Sequence, residues 1–477
     1  MRFLKLQLLV LGATLAASPG SRAVEPSRPG APQASPLQER IDSASPGATI
    51  DVGPGIYKGH LRIDRSVRLV GHGRPILDAG GTGDVVEIAA ENVTLRGFVV
   101  RSTGTDLDGE NVGVRALSGG ATIEDNELAD VLFGIDCKAA PRCVIRGNTI
   151  GGKHLDIARR GDGIRLWRSD GSVIEGNTIR DGRDCILWYS DGVIVRGNTS
   201  ERCRYGFHLM YSNDATIEGN TLTGNSVGIY FMYSKGMTLS GNRILHNRGP
   251  SGFGIGLKDT DTFTIENNLI AGNRVGIYVD NGAAVHAGTA LIARNTLATN
   301  DTGIQLLPSV KGGTFTENSF LDNFEQVGVL GRGSVEDNEF ERGGRGNFWS
   351  DYAGYDLDGD GIGESSYEAR KLFENMTARE PKLRLWLFSP AQEAIEFVAR
   401  AVPAVQPEAK FEDVSPLVRP VGCVLPVPVA SSSRPMWTLA VLLVGGAGAG
   451  MGIALVPGVR RRRAAGAAPT PIEGALA

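Results

Sequence analysis

Short β-branched runs recur from residue 92 to 340, each ending at a corner marked by asparagine. The sharpest copies are "CVIRGNTI", "SVIEGNTI", "VIVRGNTS", "ATIEGNTL", "MTLSGNRI" and "FTIENNLI". The aligned asparagines are Asn126, Asn148, Asn177, Asn198, Asn220, Asn242, Asn268, Asn295, Asn318 and Asn338, spaced 20 to 29 residues apart. Such a period signals a solenoid, and short strands divided by turns exclude the helical kinds. Each repeat carries a second strand: "GIRLW", "CILWY", "GFHLM", "GIYFM", "GIGLK", "GIYVD" and "GIQLL". The pattern predicts an all-β chain, a right-handed parallel β-helix of about ten or more coils stacked about 4.8 Å apart. A second asparagine column stands five residues after the first: Asn225, Asn247, Asn273, Asn300 and Asn323, with Cys203 in its place one coil earlier. Buried ladders of this kind are costly unless stacking satisfies their amides. A leucine-rich horseshoe is the structural alternative, but the coils lack its helical segment. The alternating stretch 50–81 opens the stack and supplies its cap.

Period-two alternation sorts the second strand into two faces. Ile164, Cys185, Phe207, Ile229, Ile255, Ile277 and Ile304 fall inward, as do Leu166, Leu187, Leu209, Phe231, Leu257, Val279 and Leu306. One outward column reads Arg165, Ile186, His208, Tyr230, Gly256, Tyr278 and Gln305. The next reads Trp167, Trp188, Met210, Met232, Lys258, Asp280 and Leu307. Met237 shares the inward phase of Leu239. The outward columns predict an exposed apolar stripe of Trp167, Trp188, Met210 and Met232 flanked by His208 and Tyr230, the mark of a binding surface. An imidazole and two thioethers there suit Cu(I). Cover by another segment of the chain and a patch for a protein partner, built on Trp167, Trp188 and Tyr230, are the competing readings.

Composition narrows the picture. The chain has 477 residues, a net charge of −4 and 65 glycines, which argues against a nucleic-acid binder and against a helical enzyme core. Arg2 and Lys5, an apolar run at 8–17 and Ser21-Arg22-Ala23 read as an export signal over residues 1–23. Residues 436–456 carry no charge over 21 positions, about 31 Å as a helix. Arg460 to Arg463 follow, so the expected arrangement is a membrane span with a cytoplasmic tail at 457–477. Glycines at 446 and 450, and at 448 and 452, give that span a face for close helix approach. The expected order is signal 1–23, linker 24–45, β-helix 46–343, acidic loop region 344–380, C-terminal strand, helix and proline-rich segment 381–430, then the span. The five cysteines (Cys137, Cys143, Cys185, Cys203, Cys423) show no metal-like spacing, and one oxidised pair suits an exported protein.

"GNFWSDYAGYDLDGDGIGESSYE" (346–368) breaks the coil pattern. Asp356, Asp358 and Asp360 alternate before Gly361 as in calcium loops, with Glu364 as a further oxygen donor; an Asp/Gly turn without metal is the alternative. "LRLWLFSPAQEAIEFVARAVPAV" (383–405) reads as a strand-like run and an amphipathic helix from about Pro390 to Arg400. A carbohydrate-active enzyme, lyase or hydrolase, competes as a function because β-helices often host one. That chemistry needs grouped acids, and the outward columns offer only Asp259, Asp261 and Asp280.

Five stretches together resemble the NosD family of periplasmic accessory proteins in nitrous-oxide reductase maturation. They are the 55–88 opening, "GFHLMYSNDATIEGN", "YFMYSKGMTLSGN", the Asn-Phe-Trp-Ser-Asp run with its aspartate loop, and "FSPAQEAIEFVARAVP", within residues 50–417. The resemblance implies a non-enzymatic periplasmic β-helix acting with an ATP-binding-cassette transporter, the partners NosF and NosY. It implies a role in assembling the copper–sulfur centre of the reductase, with copper arriving from a lipoprotein chaperone. His208, Met210 and Met232 fit copper handling through the column argument alone. The 436–456 span departs from the family pattern and implies anchoring to the inner membrane beside the transporter. A scaffold without metal is the third expectation.

Overall fold

Each repeat folds into one coil of three strands, as in Ile194–Arg196, Thr199–Glu201 and Tyr205–Met210. A computed structural model describes residues 36–282, 290–330, 335, 337–387 and 389–422. The expected signal, membrane span and tail lie outside the described residues, as does Cys423. Among the described residues no helix is long and apolar enough to cross a membrane. Pairing between coils is parallel throughout the solenoid. A sheet of 13 strands climbs one face, and a sheet of 23 covers the other two. Those two faces meet in the 14-residue strand Phe253–Glu266, which pairs with Val227–Met232 near its start and Lys235–Ser240 near its end.

The two inward columns fill the interior, every member at 0–1% exposure, and Met237 joins them. Burying one such side chain contributes about 1.5–3 kcal/mol, so the stack of columns is the main driving force. The asparagine corners do what their chemistry requires. Asn198 Oδ1 accepts the Asn177 backbone N–H at 2.8 Å and its amide at 3.0 Å, while Asn198 Nδ2 donates to Ile174 O at 2.8 Å. The second column repeats this from Cys203 N–H through Asn323. One assignment changes at the end. Asn318 hands on to Asn347, at 3.0 Å, and Asn338 instead caps Gly313 N–H. The chain closes this coil over the 29 residues to Asn347 and not over the 20 to Asn338.

The Asn-Phe-Trp-Ser-Asp run therefore adds a rung where the sequence pattern predicts a break: Phe348 and Trp349 pair with Ser319 and Phe320. At the opposite end, α1 (Pro36–Asp42), inside the expected linker, buries Leu37 and Ile41 against the first coils. At the far end α2 (Leu372–Arg379) and α3 (Pro390–Ala401) follow the last rung. α3 covers the helix the sequence predicts from about Pro390 to Arg400, and Ser389 caps it with Pro390 in its first turn. Pro381–Trp386 is a 3-10 helix and not a strand, with Leu385 and Trp386 exposed. Cys137, Cys143, Cys185 and Cys203 are buried free thiols, so no oxidised pair forms among the described cysteines.

Candidate metal site on the outer face

Six strands carry the site: β1 (Ile164–Trp167), β2 (Asp184–Trp188), β3 (Tyr205–Met210), β4 (Val227–Met232), β5 (Phe253–Glu266) and β6 (Val275–Gly282). Their register reproduces both outward columns. Arg165, Ile186, His208, Tyr230, Gly256 and Tyr278 are successive partners, as are Trp167, Trp188, Met210, Met232, Lys258 and Asp280. Residues 22 apart in sequence thus become neighbours, and Met210 and Met232 stand side by side. His208 reaches diagonally across them: its Nε2 lies 3.5 Å from Met232 Sδ.

The stripe is less open than alternation predicts. Ile186 is 2% exposed and His208 8%, while Trp167, Trp188, Met210 and Met232 are half-buried. Alternation tells direction and not cover, and here aromatic rings supply the cover. Tyr205 lies 4.8 Å from the imidazole, with Trp188 and Tyr230 each at 6.2 Å between ring centroids. The exposed rings are Tyr189, Tyr211 and Tyr233, stacked 5.1 and 5.0 Å apart directly after the second column. All three have positive φ, at the turn that follows the strand. Their repeat in "WYS", "MYS" and "MYS" is the signal that marks them.

Tyr230 also leans over the next coil, where a Cβ on Gly256 would stand 2.1 Å from its ring. Burial pushes the Tyr230 phenol well up, so it stays a neutral wall. Beneath the imidazole lies Asp184, wholly buried, with Oδ2 at 3.9 Å from His208 Nδ1. Asp184 also accepts Arg204 Nε at 2.9 Å and Tyr205 N–H at 3.2 Å. Burial raises this carboxyl, but the His208 and Arg204 contacts outweigh it and hold it below the ordinary value. Two buried nitrogens here lack a hydrogen-bond partner, His208 Nδ1 and Trp188 Nε1. A soft donor pair, one imidazole nitrogen and a thioether, with a second thioether adjacent, fits a soft cation such as Cu(I).

A family model described as "Periplasmic copper-binding protein (NosD)" matches residues 142–354. A relative from Pseudomonas aeruginosa, named "Probable ABC transporter binding protein NosD", is 35% identical over 381 residues, 76% of this chain and 87% of the relative. The chain belongs to the NosD family. A second NosD of the same name, from Stutzerimonas stutzeri, is 31% identical over 76% of this chain and 85% of its own. Among solved structures, the A-module of the Azotobacter vinelandii mannuronan C-5 epimerase AlgE6 aligns with a TM-score of 0.41 at 15% identity, covering 64% of this chain and 94% of that one. The NosD match encloses all six strands of the site and the last rung at Asn347, and it ends before the aspartate loop.

In that loop, Asp356, Asp358 and Asp360 bring carboxylate oxygens within 4.8 Å of one another. The same carboxylates tie down the turn, since Asp356 accepts Gly359 and Gly361 N–H at 2.7 and 3.0 Å and Asp360 accepts Ile362 N–H at 2.7 Å. Glu364 turns to the Leu357 N–H at 3.3 Å. The acids weighed for sugar chemistry have other neighbours: Asp280 is in register with Lys258, Asp261 with Lys235, and Asp259 accepts from Asn281. A cavity of about 530 Å3 beside the loop shares no residue with the His–Met site. Its buried charges are already paired, Lys371 Nζ with Asp351 at 2.7 Å and with Glu374 at 3.4 Å.

Proposed function

We propose that this NosD-family chain is a non-enzymatic periplasmic factor that takes up Cu(I) as cargo through His208, Met210 and Met232. The observation that carries the reading is the 3.5 Å approach of His208 Nε2 to Met232 Sδ, with Met210 in register beside it. Thioethers bind the reduced ion well and bind hard cations poorly, so such a site takes copper in one oxidation state and releases it without redox work. Trp167, Trp188 and Tyr230 would form the rim against which a donor or acceptor protein docks. The relatives' name points to an ABC transporter, and we assign the NosF and NosY subunits to that role. A lipoprotein chaperone is the copper donor, and the copper–sulfur centre of nitrous-oxide reductase is the destination. Anchoring by residues 436–456 would hold the chain beside the transporter at the inner membrane.

The test is a Cu(I) competition titration against a colorimetric chelator under reducing conditions. The double variant Met210→Leu, Met232→Leu keeps the packing volume and should lose affinity by more than about 100-fold, with an unchanged circular dichroism spectrum. Equal affinity in variant and wild type would remove copper from this face. The surface would then be a scaffold's docking patch.

A further inference from the structure

Asp184 stands in a column that is otherwise glycine from Gly113 to Gly303. The residue just before the inward column is Gly113, Gly134, Gly163, Gly206, Gly228, Gly254, Gly276 or Gly303 in the coils on either side, while Val85 and Gln326 hold it near the two ends. The reason is close approach: a Cβ on Gly206 would lie 2.5 Å from Gly228 O, and one on Gly228 would lie 2.5 Å from Gly254 O. At this same place the register between β2 and β3 shifts by one residue, between Asp184 and Ile186. That bulge adjoins His208, the kind of place where bulges re-aim a side chain. The acid it admits is fully buried and points one oxygen toward His208 Nδ1, the imidazole nitrogen with no hydrogen-bond partner.

We infer that Asp184 is a positioning residue that sets the tautomer of His208, holding the proton on Nδ1 and leaving the Nε2 lone pair facing Met232. A neutral imidazole carries one proton on two nitrogens, and an anion beside one of them fixes the choice. Carboxylate partners of this kind orient metal-binding histidines generally, and their loss weakens binding without removing a ligand. Arg204 shares the same carboxylate and so keeps it anionic and immobile, with its guanidinium over the Tyr205 ring at 4.9 Å. The inference rests on the copper reading for its purpose but not for its geometry.

The experiment is nitrogen-15 NMR of the full chain labelled at its 6 histidines, in a mildly alkaline buffer, with His208→Gln to assign the resonance. Wild type should show His208 with Nδ1 protonated and Nε2 unprotonated. Asp184→Gly restores the glycine column, so it should fold with an unchanged spectrum and give a mixture of tautomers. Its Cu(I) affinity should fall about 10–100-fold, less than the double Met variant. A second variant, Asp184→Asn, should behave alike. A wild-type His208 protonated on Nε2, or a tautomer unmoved in Asp184→Gly, would overturn the inference whatever copper does. The expected tautomers with no Cu(I) binding would leave the positioning role standing and remove the copper reading.

Discussion

One outward column crosses the same face of the solenoid in two different states. In its first part Arg115, Asp136 and Arg165 follow one another in register, and every charge is spent. Arg165 donates to Asp136 at 2.9 and 2.8 Å and to Glu110 at 2.8 Å, and Arg115 donates to Asp136 at 3.2 Å. In its second part Ile186, His208 and Tyr230 replace those charges with an aliphatic chain and two rings, and one buried nitrogen, His208 Nδ1, has no hydrogen-bond partner. The contrast teaches how to separate structure from function on a repetitive scaffold. Where the column closes its own electrostatics it is a fastener, and where it sets an imidazole beside a thioether it offers donors to something else.

The sharpest way to break the comparison is Asp136→Ala. It removes the buried carboxylate that two guanidinium groups share, leaving Arg165 only Glu110 and Arg115 only Asp84 and Glu110, so stability should fall by about 3 kcal/mol by chemical denaturation while Cu(I) affinity stays at the wild-type level. A loss of copper binding there would show that the two parts are one unit. Asp162, next to the boundary, gives an intermediate effect with a definite sign. Burial pushes its carboxyl up to about 6, the pairing with Arg183 at 3.0 Å offsetting only part of that rise. A raised acid contributes stability that is present below its unfolded value of 3.8 and lost as pH rises through about 6. Asp162→Asn should therefore be more stable than wild type near neutrality by about 2 kcal/mol and show no advantage near pH 4. A constant gap across that range would place the shift elsewhere. The smallest effect on folding belongs to His208→Leu. It removes an unsatisfied nitrogen, so stability should change by no more than about 1 kcal/mol in either direction, and Cu(I) affinity should collapse. A large loss of stability would make His208 a structural residue.

Much of this was legible before any coordinates. The asparagine period is the coil itself, since each amide must meet its copy in the next turn, and the inward columns follow from alternation. Register then placed Met210 beside Met232 without further information. Three features resisted for physical reasons. His208 is buried because Tyr205 and neighbouring rings fold over it, and Ile186 beside it is buried too, and direction along a strand says nothing about cover from another. Asn338 looks like a ladder member by motif, yet it turns to Gly313 and the ladder passes to Asn347, outside the motif spacing. Asp184 hides among solvated acids unless the glycine column from Gly113 to Gly303 is written out, when it becomes the one position that departs from it.

Asp413 gives the stack an end. It accepts the Asn347 backbone N–H at 2.7 Å and the Trp349 indole at 2.9 Å, while Phe411 closes over Phe340. A pile of parallel rungs is otherwise an open template on which another molecule of the same chain would add, and growth of that kind has no natural stop. By returning a distant segment to occupy the final donors, the protein keeps its own periodicity from becoming a filament.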